Sequence, residues 1–123
     1  MGLDTLRFLR VRDWFYFLAL PVLSWDPSAP DLLRLVVAVA VAACCLAFAY
    51  GWNNIRDAGL DRSVAKNPLA GGGPRSGATN LLLLAGLAAA ALGGGAWLGV
   101  IPGVAAAIQL TGSALYSGGP RLK

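Results

Sequence analysis

The chain has no histidine, and its two cysteines, Cys44 and Cys45, are neighbours. Without an imidazole, neither a His-based nucleophilic triad nor a His-ligated zinc site can be built. Neighbours on a helix point about 100° apart and are poor disulfide partners, so both cysteines read as small apolar filler. Charge is scarce too. Only 13% of the 123 residues are Asp, Glu, Lys or Arg, against about 25% in a soluble domain. The acids also stop early, since none follows Asp61. Such a chain has too little polar surface to stay in water as a monomer. Nothing in it resembles a nucleic-acid-binding pattern.

Apolar residues fill the space, at 57% of the sequence with a mean hydropathy of +0.64. A spanning helix needs ~20 mostly apolar residues. Leu32 to Trp52 meets that length with one charge, Arg34, and Thr79 to Ser117 has none. The expected fold class is all-α, a transmembrane helical bundle of four spans at about 6–25, 32–54, 80–98 and 101–117, the first kinked at Pro21. The first segment is not a secretory signal: Arg10, Arg12 and Asp13 interrupt it, and no small-residue cleavage site follows. Trp14, Trp25, Trp52 and Trp97 fall near predicted span ends, where indole rings favour the headgroup layer. Gly86, Gly93, Gly94 and Gly95 in the third span, with Gly103 and Gly112 in the fourth, predict closely packed helices.

Charge placement predicts orientation. Arg7, Arg10 and Arg12 open the first span, Arg56, Arg62, Lys66 and Arg75 follow the second, and Arg121 and Lys123 follow the fourth. The loop from Asp26 to Asp31 carries acids and no base. The positive-inside rule then places both termini and the loop 55–79 on the cytoplasmic side of an inner or plasma membrane. The formal net charge of +4 is topological first, and also suits an anionic lipid or a diphosphate.

Asn53, Asp57 and Asp61 are spaced four and four where the second apolar run ends. On a helix that spacing puts all three on one face. Carboxylates stacked at the mouth of an apolar helix are costly unless a positive group meets them. A hard divalent cation such as Mg²⁺ prefers oxygen ligands and bridges carboxylates to phosphates. The pattern therefore points to chemistry on a phosphorylated lipid. Gly71, Gly72 and Gly73 either cradle phosphate through backbone N–H groups or form a plain hinge. They lack the Walker spacing, which argues against nucleotide triphosphate.

The segment Asn53-x-x-x-Asp57-x-x-x-Asp61 resembles the first aspartate-rich motif of the UbiA superfamily of intramembrane prenyltransferases. Lys66-Asn67-Pro68-Leu69-Ala70 is similar to the stretch trailing that motif. Tyr116-Ser117-Gly118-Gly119-Pro120-Arg121-Leu122-Lys123 resembles the Tyr-Ser-x-Pro-Pro-x-Arg-Leu-Lys stretch after the family's fourth helix. Arg12-Asp13-Trp14 resembles the Arg-Pro-x-x-Trp start of its first helix. The landmarks occur in family order and cover the whole chain.

The resemblance implies the N-terminal half of a nine-helix fold around a central cavity. It implies Mg²⁺-dependent transfer of a prenyl group from an isoprenyl diphosphate to a lipophilic, often aromatic acceptor. The acceptor stays open among quinone precursors, haem, chlorophyll and glycerol-phosphate ether lipids. Asn53, Asp57 and Asp61 match the metal motif. Tyr116 and Lys123 match residues that steady the reactive carbon and the diphosphate. Asn54, Arg62, Lys66 and Arg121 are further diphosphate contacts. Position 54 departs from the family as Asn, and Asn53-Asn54-Ile55-Arg56-Asp57 is also similar to the second motif of menaquinone-type members. The second acidic motif is absent, so the expected partner is a C-terminal half or another membrane subunit. The alternative is a non-catalytic four-helix membrane protein that binds lipid diphosphate or assembles with another subunit.

Overall fold

The computed structural model describes residues 3–28, 31–59, 67–70 and 77–118. All regular elements among the described residues are helical. The first segment is a series of short pieces: α1 (Leu3–Phe8), α2 (Val11–Trp14), a 3₁₀ turn over Phe15–Leu18, and α3 (Ala19–Leu23). It is followed by α4 (Leu32–Asp57), α5 (Gly77–Leu98) and α6 (Val100–Gly118). These last three are long and apolar enough to cross a membrane.

The expected first span over 6–25 is therefore not one helix kinked at Pro21. The chain breaks upstream, at Arg10, whose φ of 51° is left-handed. That conformation ends an L-residue helix. Arg10 is held there from two sides: Nε donates to Asp13 Oδ2 at 2.6 Å, and the guanidinium lies 5.5 Å from the Tyr50 ring centroid. Trp14 faces into the bundle. It is buried, and its indole N–H donates to the Leu9 carbonyl at 2.7 Å. The broken segment still runs the length of the bundle. The Phe8 carbonyl is bonded by Asn54 near the end of α4, while Pro21, Ser24 and Trp25 lie beside Arg34 at its beginning.

Helix α4 starts sharply because the Asp31 carboxylate accepts the Arg34 N–H at 3.0 Å, an N-cap bond. With 26 residues it is ~39 Å long, more than the ~30 Å of bilayer hydrocarbon, and so long enough to cross it. It ends at Asp57 rather than near 54, and α5 begins at Gly77 rather than 80. The expected loop 55–79 is shortened at both ends.

Between α5 and α6 the chain turns in a single residue. Gly99 has φ +140°, a conformation that L side chains rarely adopt. Pro102 follows in the first turn of α6, where a missing N–H costs no helical hydrogen bond.

The long helices pack antiparallel in sequence order. A Cβ on Gly51 of α4 would lie 2.7 Å from Leu84 of α5, and one on Gly94 would lie 2.7 Å from Val41. Gly95 and Gly103 bring α5 and α6 so close that a Cβ on Gly95 would lie 3.1 Å from the Pro102 carbonyl oxygen. The small-residue reading holds at these positions. At Gly86, Gly93 and Gly112 an added Cβ would meet nothing within 4 Å, so among the described residues these glycines seat no neighbour. Cys45, Ala91, Ala106 and Leu110 form the central core, and both cysteines are free thiols. Phe8, Leu9, Trp14, Ala47 and Leu84 form a second core where the first segment meets α4 and α5. The outer faces are apolar: Ile101 is 83% exposed and Leu82 74%. Such faces need lipid or other helices around them.

Candidate functional site

Among the described residues, the buried polar and charged side chains are Thr5, Asn54, Asp57, Asn67, Asn80 and Ser117. All lie at one end of the bundle, where α4 and α6 finish and α5 begins. Helix ends explain part of this. The last carbonyls of a helix have no intrahelical donor, and here they are bonded from neighbouring elements. Asn54 Nδ2 donates to the Phe8 carbonyl at the end of α1, at 2.6 Å. Asn67 Nδ2 donates to the Asn54 carbonyl in the last turn of α4, at 2.9 Å. Arg56 Nε approaches the Ser117 carbonyl in the last turn of α6, at 3.4 Å. Each bond ties two segments that are distant in sequence.

Asn53 and Asp57 share one face of α4, as their spacing predicts, and Asn53 Nδ2 donates to Asp57 Oδ2 at 3.0 Å. Asp57 is 7% exposed. The Ser117 hydroxyl approaches Asn53 Oδ1 at 3.4 Å, a long contact that brings α6 to the same face. Asn54 turns elsewhere: its amide nitrogen is committed to Phe8 and its side chain is fully buried. Tyr116 is 86% exposed and does not join Asn53 and Asp57, whereas its neighbour Ser117 does. Asp61, Arg62, Lys66, Arg121 and Lys123 lie outside the described residues, as do Gly71, Gly72 and Gly73.

Ser117, Arg56 and Asn80 were not singled out by the spacing argument, yet they reach this end. For Ser117 a signal existed: Ala106, Leu110 and Ser117 recur at helical spacing on the buried face of α6.

Two helix C-termini, of α4 and α6, meet the N-terminus of α5 at this end, with the Asp57 carboxylate and the Arg56 guanidinium beside them. Oxygen donors are available in the Asp57 carboxylate, the Asn53 amide and the Ser117 hydroxyl, which suits a hard cation better than a soft one. Among the described residues, no group of three or more His, Cys, Asp or Glu side chains comes together. The described oxygen set thus fits a cation that takes further ligands from a phosphate or water.

No protein-family model matches the chain, and no match appears among the curated proteins or the solved structures. The family resemblance therefore rests on the motifs.

Proposed function

We propose that the chain is the diphosphate-holding part of a membrane-embedded prenyltransferase of UbiA type. It would transfer an isoprenyl group from an isoprenyl diphosphate to a lipophilic, aromatic acceptor. One observation carries this reading. The motif landmarks, far apart in sequence, meet at one end of the bundle: Asn53 and Asp57 with Ser117, and Asn54 with Asn67. The segment containing Trp14 packs against the same helix.

Mg²⁺ would be held by Asp57 and Asn53, with Asp61 as the third member of the motif, and would neutralise the diphosphate as it leaves. The chain's own part is to present an oxygen-lined end to that ion. Arg56, and by motif Arg62, Lys66, Arg121 and Lys123, surround the anion with positive charge. The apolar bundle keeps water from the allylic cation formed on ionisation.

We further read the first segment as a fourth crossing, broken at Arg10. Both termini and the Asn53 end then face the cytoplasm, in accord with the basic residues. The chain has no acid after Asp61, so a second acidic cluster comes from a C-terminal half or another subunit. The alternative, a non-catalytic four-helix protein, is favoured by the use of Asn54 and Asn67 as helix caps.

The test is an assay of membranes holding this chain, with labelled farnesyl and geranylgeranyl diphosphates, with and without a co-expressed chain that carries a second acidic motif. Mg²⁺-dependent transfer only in the pair is expected. Lack of both transfer and Mg²⁺-dependent diphosphate binding would leave the non-catalytic reading.

A further inference from the structure

Gln109 sits at the centre of the 19-residue helix α6, about 13 Å along the axis from either end. When α6 crosses a bilayer, that is the middle of the hydrocarbon. The side chain does not turn into the bundle: Gln109 is exposed, whereas Ala106, Leu110 and Ser117 form the buried face of the helix. Among the described residues its amide has one contact, a long one, from Nε2 to Ser113 Oγ at 3.5 Å. The Ser113 hydroxyl itself donates to the Gln109 backbone carbonyl at 2.8 Å. An amide at that depth has no water to bond, and Gln is too short to carry it to the headgroups. Lipid tails offer no hydrogen bond in return. The group therefore calls for a polar partner from outside the bundle, at the same depth.

The rest of the chain narrows the choice. The central stretches 41–48 of α4 and 84–91 of α5 hold no amide, hydroxyl or charge, and Gln109 is the one amide side chain of α6. Copies of one chain enter a membrane with one orientation, so a two-fold axis between them runs along the membrane normal and pairs α6 in parallel. Each residue on the contact face then meets its own copy at its own depth. A primary amide is self-complementary: it offers both a donor and an acceptor, and two Gln109 side chains satisfy each other. The surface beside Gln109 suits such an approach. At 100° per residue, Ala105, Ile108, Gln109 and Gly112 share a face about 100° wide. All four are exposed, and a Cβ on Gly112 would meet nothing within 4 Å. Small residues at 105 and 112 let two backbones come close on either side of the amide. Gly86 and Gly93 of α5 are open as well, but their face has no polar group at mid-depth to select a helix over lipid.

We propose that α6 is a self-association surface: two copies of the chain pair in parallel through Ala105, Ile108, Gln109 and Gly112, with the two Gln109 amides hydrogen-bonded across the two-fold axis. The pairing does not rest on the diphosphate reading. Ser117, which approaches Asn53, lies on the buried side of α6, roughly 130° around the helix from this face. The second copy therefore leaves the Asn53 end uncovered.

The test uses the full chain in phosphatidylcholine vesicles, labelled with donor or acceptor dye at a C-terminal tag, with Förster transfer followed as added lipid dilutes the chain. Wild type should show transfer that falls on dilution as a dimer's does. Gln109→Leu should dissociate about tenfold more readily, and Gly112→Val at least as readily as that. Both positions are exposed, so near-UV circular dichroism should match wild type. In a chain lacking Cys44 and Cys45, Ala105→Cys should form a disulfide between copies, which needs Cα atoms within about 7 Å. Leu82→Cys, equally exposed but on α5, should not. Transfer by Gln109→Leu equal to that of wild type overturns the inference, as does equal cross-linking at the two cysteine positions. Wild type that stays monomeric at every dilution also overturns it, and assigns Gln109 to a helix of a different chain. If Gln109→Leu fails to insert, the contrast between Ala105→Cys and Leu82→Cys decides.

Discussion

The two ends of the bundle handle polar groups in opposite ways. At the Asn53 end they tie separate segments together, Asn54 and Asn67 from buried positions: Asn54 to α1, Asn67 to α4, Arg56 and Asn53 to α6. At the other end they are exposed and mostly local, apart from a long 3.5 Å approach of Arg34 Nη1 to the Leu98 carbonyl of α5. Arg34 pairs with Asp31 at 3.4 Å, three residues away, with both side chains more than half exposed. Asp26 accepts from its neighbour Ser28 twice, from the hydroxyl at 2.6 Å and the N–H at 2.8 Å. A shallow cavity of about 300 Å³ between Pro21, Trp25, Arg34 and Pro102 is mostly apolar. Local exposed pairs are worth little. Buried ones that join distant segments are costly to break, because they leave an unsatisfied partner behind. The difference teaches where to look for chemistry: polar groups that water could satisfy need no function, whereas buried ones call for a partner.

Four measurements can break or sharpen that contrast. The largest effect is all-or-none. Cysteines placed at Ser28 and Ala78, in a chain lacking Cys44 and Cys45, should label from opposite sides with an impermeant maleimide, Ala78→Cys only from the cytoplasm. Labelling of both from one side would refute the antiparallel crossing. Next, Asp57→Asn should weaken Mg²⁺-dependent diphosphate binding by at least about tenfold, as loss of a charged ligand does, whereas Arg34→Gln should change it less than about twofold, since it sits at the far end. Equal losses would erase the distinction between the ends.

Packing gives a smaller effect. Gly95→Val should destabilise the bundle by ~1–3 kcal/mol through contact with the α6 backbone, while Gly112→Ala should be neutral or stabilise by up to ~1 kcal/mol through helix propensity. Denaturant midpoints in detergent decide it. The smallest effect is at the exposed turn. The Ser28 hydroxyl, then its N–H, holds the Asp26 carboxyl below the usual carboxylate range. A lowered folded value means that the turn gains its support above the ordinary Asp value of about 4 and loses it as pH falls through the lowered one. In Ser28→Ala the Asp26 titration, followed by NMR, should move back toward the ordinary value, with no change in diphosphate binding.

The long helices were legible because length and apolarity alone decide them; α4 to α6 match the expected spans within a few residues. Helix α4 continues past the expected end of its span into the polar turn that carries Asn53 and Asp57, where the Asn67 side chain donates to the Asn54 carbonyl. The first segment misled for a related reason. Its apolar content suits a span, but Arg10 in a left-handed conformation, fixed by Asp13 and by Tyr50 forty residues on, is a tertiary fact. For the site, the Asn53–Asp57 face could be read from spacing. Asn80 could not, since one Asn at the head of an apolar run looks like a boundary until its burial is known. Tyr116 drew attention through the family resemblance, yet the turn of α6 faces Ser117 inward.

The one-residue turn at Gly99 bears on how the protein is made. Residues 77–118 contain no Asp, Glu, Lys or Arg, so no charge anchors either helix from within the hairpin. With Gly99 alone between them, α5 cannot settle across a bilayer and wait for α6, since the tip has no length with which to linger in water. The pair is expected to enter the membrane as one hairpin, its uncharged tip crossing at low cost, with the Gly95–Gly103 contact carried through with it. Nascent chains of increasing length should therefore show protease protection of α5 only once α6 has left the ribosome; protection acquired before then would mean stepwise entry.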